Sequence, residues 1–311
     1  MIRKMKVEDI KEVQKIDRIC FKTDYFRVFE LLKSYIEVDK CSLVYEEENV
    51  VVGYIFNHLA GNYAWFGTLG VHPDFKGKGI GKDLVRATIK MFKSKYEIKN
   101  IGLVTMPQSG YNIGFYISLG FIPKEITLRL SKFIEEPDLR RRVKDTLKVN
   151  IVDINNKNEY RKIIKEAKKL SNGLYEGLDM SSELKQIKSS KMGEVFNIYE
   201  EEQFIGFGVL RNKSIFEEES NTVNIRLVCI KAGSIPYDEV MNGVLSGVYK
   251  YCAENQLMQV TIDISTIDHK LCSYLFKQHN FRVEKTSVTL IMGDESFYSS
   301  IKGLMCFKTV T

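Results

Sequence analysis

Paired cysteines are the first thing this sequence lacks. Its six cysteines (Cys20, Cys41, Cys229, Cys252, Cys272 and Cys306) are scattered, with no C-x-x-C pair and no Cys/His cluster. That excludes a disulfide framework and a structural zinc site, so no metal is expected and a reducing compartment suits the chain. Proline is scarce, 5 of 311 residues against 21 glycines, which excludes collagenous and low-complexity disordered classes. Long apolar runs are missing as well. No stretch approaches the roughly 18 apolar residues of a membrane span. The N-terminal MIRKMKVEDIKEV turns amphipathic where a secretory signal needs an apolar block. The expected location is therefore cytoplasmic, with no membrane partner. Nor is there a concentrated basic segment. The 46 basic residues are offset by 40 acidic ones, and the one dense run, Arg140, Arg141 and Arg142, is flanked by Asp138 and Asp145. It reads as a solvated helix face and not as a nucleic-acid site, while a net charge of +6 suits a small polyanion.

What is present is ordinary globular chain, 44% hydrophobic and 28% charged, long enough for about two domains. Val7, Ile10, Val13, Ile16, Ile19 and Cys20 recur at helical spacing, and Phe29, Leu32 and Ile36 mark a second helix. Strands are predicted over 42–45, 50–57 and 64–71. An amphipathic helix bearing Leu84, Val85, Ile89 and Phe92 follows, then a strand over 101–106, a short helix over 110–119 and a strand over 124–130. The order is ααβββαβαβ. The second half repeats it: the acidic hairpin ending at Gly53 and Tyr54 recurs with one residue fewer, ending at Gly206 and Phe207, and Leu119-Gly120-Phe121 is echoed by His279-Asn280-Phe281. Two anchors in one order point to a tandem duplication. The expected division is a first domain over 1–130, a charged linker over 131–150 and a second domain over 151–311.

Chemistry concentrates where the third strand ends. Leu69-Gly70-Val71-His72-Pro73 leads into Lys76-Gly77-Lys78-Gly79-Ile80-Gly81-Lys82 and then into the amphipathic helix. Glycines let the backbone approach a ligand, and the uncapped amides of a helix N-terminus attract anions, so this loop should hold phosphate. A dinucleotide fingerprint beginning at Gly77 or Gly79 needs glycine at position 82 or 84, where Lys82 and Leu84 stand. A Walker A loop ending at Gly81-Lys82 needs glycine at 76 and a hydroxyl at 83, where Lys76 and Asp83 stand.

The segment Lys76-Gly77-Lys78-Gly79-Ile80-Gly81 resembles the Arg/Gln-x-x-Gly-x-Gly/Ala signature of the GNAT superfamily of N-acetyltransferases, with lysine as first residue. About 40 residues later Tyr116-Ile117-Ser118-Leu119-Gly120-Phe121 is similar to that family's Tyr-x-x-x-Gly-Phe. The resemblance implies an α/β (α+β) fold of two GNAT-like domains, each a mixed, mostly antiparallel central sheet flanked by helices. It implies acetyl-CoA as acyl donor, gripped by Lys76, Gly77, Lys78, Gly79, Ile80, Gly81 and Lys82, with main-chain contacts from Leu69 and Val71 to the pantetheine arm. Tyr116 would protonate the departing thiolate, and Asn112, one helical turn earlier, would touch the cofactor. Ser109 stands where the family more usually has Asn, and it can serve as a helix cap.

A glutamate base of the kind many relatives carry is absent from Tyr63-Ala64-Trp65-Phe66-Gly67-Thr68-Leu69-Gly70, so the base must lie elsewhere or act through water. His72 reads as a surface residue, and Asp24, Tyr25 and Glu30 as packing and surface residues near the family's acceptor region. No cysteine falls in the two motifs, which agrees with direct transfer in a ternary complex. In the second half Lys231-Ala232-Gly233-Ser234-Ile235-Pro236 lacks the paired glycines, and Phe276 replaces the tyrosine. One site per chain is expected, in the first half, acting on a small-molecule amine or a peptide. A non-catalytic acyl-CoA-binding or sensor protein is the alternative.

Overall fold

The computed structural model describes residues 1–233, 235–293 and 303–307. The first half runs β1 (Ile2–Lys4), α1 (Ile10–Phe21), α2 (Phe29–Asp39), β2 (Leu43–Glu47), β3 (Val50–Ala60), β4 (Tyr63–Val71), α3 (Ile80–Lys95), β5 (Asn100–Thr105), α4 (Gly110–Ser118) and β6 (Ile122–Phe133). A short helix, α5 (Glu136–Leu139), follows. The second half runs β7 (Leu147–Val152), α6 (Lys157–Leu174), α7 (Ser181–Ser190), β8 (Gly193–Glu200), β9 (Gln203–Arg211), β10 (Thr222–Lys231), α8 (Tyr237–Glu254), β11 (Gln259–Ser265), α9 (His269–His279) and β12 (Arg282–Met292), with a further strand β13 (Gly303–Phe307). The predicted order holds in both halves, preceded in each by a strand that periodicity missed. The 131–150 segment is not a plain linker: it holds the end of β6, all of α5 and the start of β7.

The two sheets are one. Strands lie in the order β1-β2-β3-β4-β5-β12-β6-β11-β10-β9-β8-β7. Read as copies of one unit, this order is a palindrome about the β12–β6 pair. Each half lends its last strand to the other: β12 pairs antiparallel with β5 and with β6, and β6 pairs antiparallel with β11. Cross-strand polar contacts bind the exchange, including Thr127 to Thr289 at 3.0 Å and Arg129 to Asp263 at 2.8 Å.

Helices cover both faces, which is why β3 and β9 read as near-continuous apolar runs and are buried almost throughout. On one face α3 packs over Val52, Ile55, Ala64 and Phe66, and α8 packs over Val223, Ile225, Val260 and Ile262. On the other, α1 and α2 bury Ile10, Val13, Leu32 and Tyr35 against Tyr54 and Phe56, while α6 and α7 cover Phe207, Val209 and Leu227. There α2 packs directly on α7. The contact carries a buried polar cluster in which Asp39 accepts from Gln186 at 2.9 Å and bonds His58 Nδ1 at 2.9 Å.

Candidate active site

A wedge opens in the sheet of the first half. β4 and β5 pair in parallel only where Tyr63, Ala64 and Trp65 face Asn100, Ile101 and Gly102. Beyond Trp65 the strands part, because β4 bends away while β5 follows β12 as far as Thr105. The bend is a bulge: between Asn57 opposite Phe66 and Ile55 opposite Leu69, β4 fits Gly67 and Thr68 against Phe56 alone. The edge of β4 from Leu69 to Val71 therefore takes no second strand among the described residues, a place where an extended ligand can pair.

The loop at the wide end of the wedge leads into a helix whose N-terminus has no side-chain cap. Pro73–Phe75 form a single 3₁₀ turn, with the Asp74 amide donating to His72 Nδ1 at 3.4 Å, so His72 is a capping residue. Gly77 and Gly79 both have φ of +81°, a left-handed conformation costly for side-chain residues, and a methyl group on either would meet nothing within 4 Å. Gly79 is the N-cap of α3 and has no side chain to satisfy the first amides of the helix. Those amides and the helix dipole leave a positive end available to phosphate. Lys76, Lys78 and Lys82 are exposed around it; Lys78 lies 4.6 Å above the Phe75 ring and 3.5 Å from Glu47.

Tyr116 lies at the narrow end. Its ring packs against Phe66 at 6.0 Å and Phe121 at 6.2 Å, and Phe66 is the first β4 residue past the point where the strands part. Burial pushes its pKa up to about 12, so the phenol keeps its proton through the neutral range. Asn112 is half-buried one turn earlier. Ser109 is the cap of α4, its hydroxyl accepting from the Asn112 amide at 3.3 Å. Asp24, Tyr25 and Glu30 are all exposed.

Sequence reasoning missed three residues beside the wedge. Asp17, on α1, is 1% exposed; it accepts from Tyr54 and lies 3.4 Å from the Thr68 hydroxyl on the β4 bulge. Its other oxygen accepts from Arg27 Nε at 2.9 Å. Arg27 is the buried member of the loop between α1 and α2. Cys20 lies outside both motifs yet reaches the end of β4: its Sγ donates to the Val71 carbonyl at 3.1 Å, although 51 residues separate them. Burial raises its pKa, which favours the thiol over a nucleophilic thiolate. A signal for Asp17 was available. It stands four residues after Val13, in phase with the apolar stripe, where a carboxylate has no reason to be unless something pairs with it.

The second half has the same wedge, and it is filled. β10 and β11 pair in parallel from Thr222–Ile225 to Gln259–Ile262 and then part, but β13 lies antiparallel along β10, Phe307 to Gly303 opposite Leu227 to Lys231. α8 starts at Tyr237 behind Pro236, with no glycine cap; Ser234 lies outside the described residues.

Residues 8–121 match the family described as Acetyltransferase (GNAT) family. The chain carries a GNAT acetyltransferase domain. Solved structures with the same fold extend the likeness across both halves. A protein from Pyrococcus horikoshii assigned as an acetyltransferase superposes with a TM-score of 0.68 at 17% identity, over 99% of this chain and 94% of its own. A GCN5-related N-acetyltransferase from Sphaerobacter thermophilus gives 0.62 at 12% identity, over 95% and 97%. A tandem GNAT protein from the clavulanic acid biosynthesis pathway gives 0.61 at 13% identity, over 95% and 99%. No curated protein matches the sequence. Among the described residues no helix is long and apolar enough to cross a membrane, and no cluster of His, Cys, Asp and Glu could hold a metal ion.

Proposed function

We propose that the first half moves an acetyl group from acetyl-CoA to a primary amine by direct attack in a ternary complex. The observation that carries the reading is the alignment of three features along one wedge: the amides of α3 behind Gly79, the edge of β4 from Leu69 to Val71 that takes no second strand among the described residues, and Tyr116 at the crotch. Acetyl-CoA supplies a thioester carbonyl open to a neutral amine. Gly77 to Lys82 hold its phosphates at the helix N-terminus, and Lys76 and Lys78 add charge without the bidentate geometry of arginine. Leu69 and Val71 offer main-chain groups to the pantetheine arm, and amides of the same edge stabilise negative charge on the carbonyl oxygen. As the C–N bond forms and the C–S bond breaks, Tyr116 gives its proton to the sulfur. The amine's surplus proton leaves toward Asp17 through the Thr68 hydroxyl, the polar path that a carboxylate-free β4 otherwise lacks.

The test is release of free CoA from acetyl-CoA across a panel of amines, polyamines, aminoglycosides, amino acids and peptides. Tyr116→Phe keeps the ring contacts and should lower kcat about 100-fold or more, leaving the KM for acetyl-CoA within about twofold. Asp17→Asn should lower kcat/KM for the amine in the same assay. A Tyr116→Phe enzyme with full turnover would remove the tyrosine from the chemistry, and binding of acetyl-CoA without CoA release from any amine would favour a sensor.

A further inference from the structure

The second half reaches into the first through the connection between β9 and β10, residues 212–221. Its middle pairs with the loop between α1 and α2 as a short antiparallel bridge, Arg27 opposite Phe216. The Val28 amide donates to the Ile215 carbonyl at 3.0 Å, and the Glu217 amide donates to the Phe26 carbonyl at 2.8 Å. Ile215 packs on the core that α1 and α2 form with Tyr54 and Phe56. Gln14 of α1 ties the two segments together, donating through Nε2 to the Arg27 carbonyl and, at 3.5 Å, to Glu217 Oε1. Backbone and side chains thus dock the connection over the one arginine that the α1–α2 loop buries.

What the connection covers is the guanidinium of Arg27. This residue is 6% exposed, and among the described residues its side chain makes one hydrogen bond, from Nε to Asp17 Oδ2 at 2.9 Å. Nη1 is enclosed without a partner. A guanidinium held at one nitrogen can swing about that bond, so its plane is set by what lies against it: the Phe216 ring at 5.2 Å and the Phe21 ring at 5.8 Å. Phe21 is partly open to solvent at the end of α1, whereas Phe216 is half-buried and held by the bridge. The plane matters to the wedge. With Oδ2 committed to Arg27, Asp17 turns Oδ1 to the Tyr54 hydroxyl and to the Thr68 hydroxyl, 3.4 Å away on the β4 bulge. Phe216, Arg27, Asp17 and Thr68 form a line of direct contacts from the second half to the strand that borders the wedge.

We propose that Phe216 is a positioning residue for acetyl transfer in the other half: its ring fixes Arg27, Arg27 fixes Asp17, and the carboxylate so held takes up the amine's proton through Thr68. This rests on the acetyl-transfer reading for the role of Asp17, while the linkage itself can be read without turnover. The amine's proton passes to the Thr68 oxygen as the hydroxyl's own proton passes to Asp17, so Arg27 and Phe216 gain and lose none. The second half, its own wedge filled by β13, then serves the reaction of the first.

The experiment uses the full chain, acetyl-CoA and whichever amine of the panel gives the fastest CoA release. Phe216→Leu keeps apolar bulk and removes the ring face. It should lower kcat/KM for the amine about 5- to 20-fold and leave the KM for acetyl-CoA within about twofold, while Phe216→Tyr should stay within about twofold of wild type throughout. In an Asp17→Asn background the same Phe216→Leu change should cost less than about twofold, because the carboxylate it acts through is gone. A merely structural phenylalanine would cost the same factor in both backgrounds. Urea denaturation of the same four proteins needs no turnover: the midpoint shift caused by Phe216→Leu should at least halve in Asp17→Asn. Equal factors in both backgrounds, an acetyl-CoA KM that moves with that of the amine, or a Phe216→Tyr enzyme as poor as Phe216→Leu would each overturn the positioning role. If no amine releases CoA, the transfer reading falls and the urea cycle alone decides the linkage: a halved shift keeps it, and an equal shift overturns it.

Discussion

At the scale of single residues, Gly77 and Gly79 were visible in the sequence because they take a backbone conformation few residues adopt, and Tyr116 because it stands in a spaced motif. Gly79 needs a positive φ and an open approach, so Gly79→Ala should cost about 1 kcal/mol of stability through left-handed strain. It should weaken acetyl-CoA binding as well, since its methyl group would point into open space at the helix end. Urea denaturation and calorimetry on the same variant separate the two effects; an unchanged affinity would move the phosphates away from this loop. Tyr116 adds a pH expectation. Its pKa is raised by burial to about 12, so it should impose no loss of activity below pH 10, and its ionisation should destabilise the fold as pH rises from about 10 through 12. What the sequence hid at this scale were residues whose meaning is a partner far along the chain. Asp17 meets Thr68 of β4, Cys20 meets Val71, and Arg27 lies beside Phe216 of the other half, and no local pattern announces a contact over such separations.

At the scale of elements, periodicity located helices and strands but not their ends or edges. β3 runs on to Ala60 and β6 to Phe133, beyond the predicted 57 and 130, because pairing with β4 and β11 sustains them where side-chain alternation fades. β13 was not predicted, and it occupies the slot beside β10 that corresponds to the one beside β4 in the first half. α9 carries a further prediction. His279 is fully buried between Tyr249 and Tyr274, each 3.2 Å from a ring nitrogen, and burial lowers its pKa to about 4. An unfolded chain binds that proton near pH 6.5, so stability is complete above about 6.5 and is lost as pH falls toward 4, by at most about 3 kcal/mol. Urea midpoints at pH 7.5 and 5 should show the loss, and His279→Gln should reduce it; equal slopes in both proteins would remove His279 as the cause.

At the scale of the molecule, the duplication was legible and the exchange of strands was not. The sequence shows that β6 and β12 are corresponding strands, but nothing local says which half each will complete, because both present the same alternation to either neighbour. The consequence is that neither half holds a full sheet of its own. A fragment of residues 1–140 lacks the strand that belongs between β5 and β6, and should be insoluble or should associate through the exposed edge. Co-expression with residues 141–311 should recover a soluble one-to-one complex, read by size-exclusion chromatography. A monomeric 1–140 fragment with native-like melting would contradict this reading of the sheet.

The exchange also sets a schedule for synthesis. β5 leaves the ribosome roughly 190 residues before the end of β12, a wait on the order of 10 to 40 s at about 5–20 residues per second. Throughout that interval the strand bordering the wedge has an open edge. The nascent first half therefore depends on slow pairing partners, or on a chaperone, before its wedge can take its final shape.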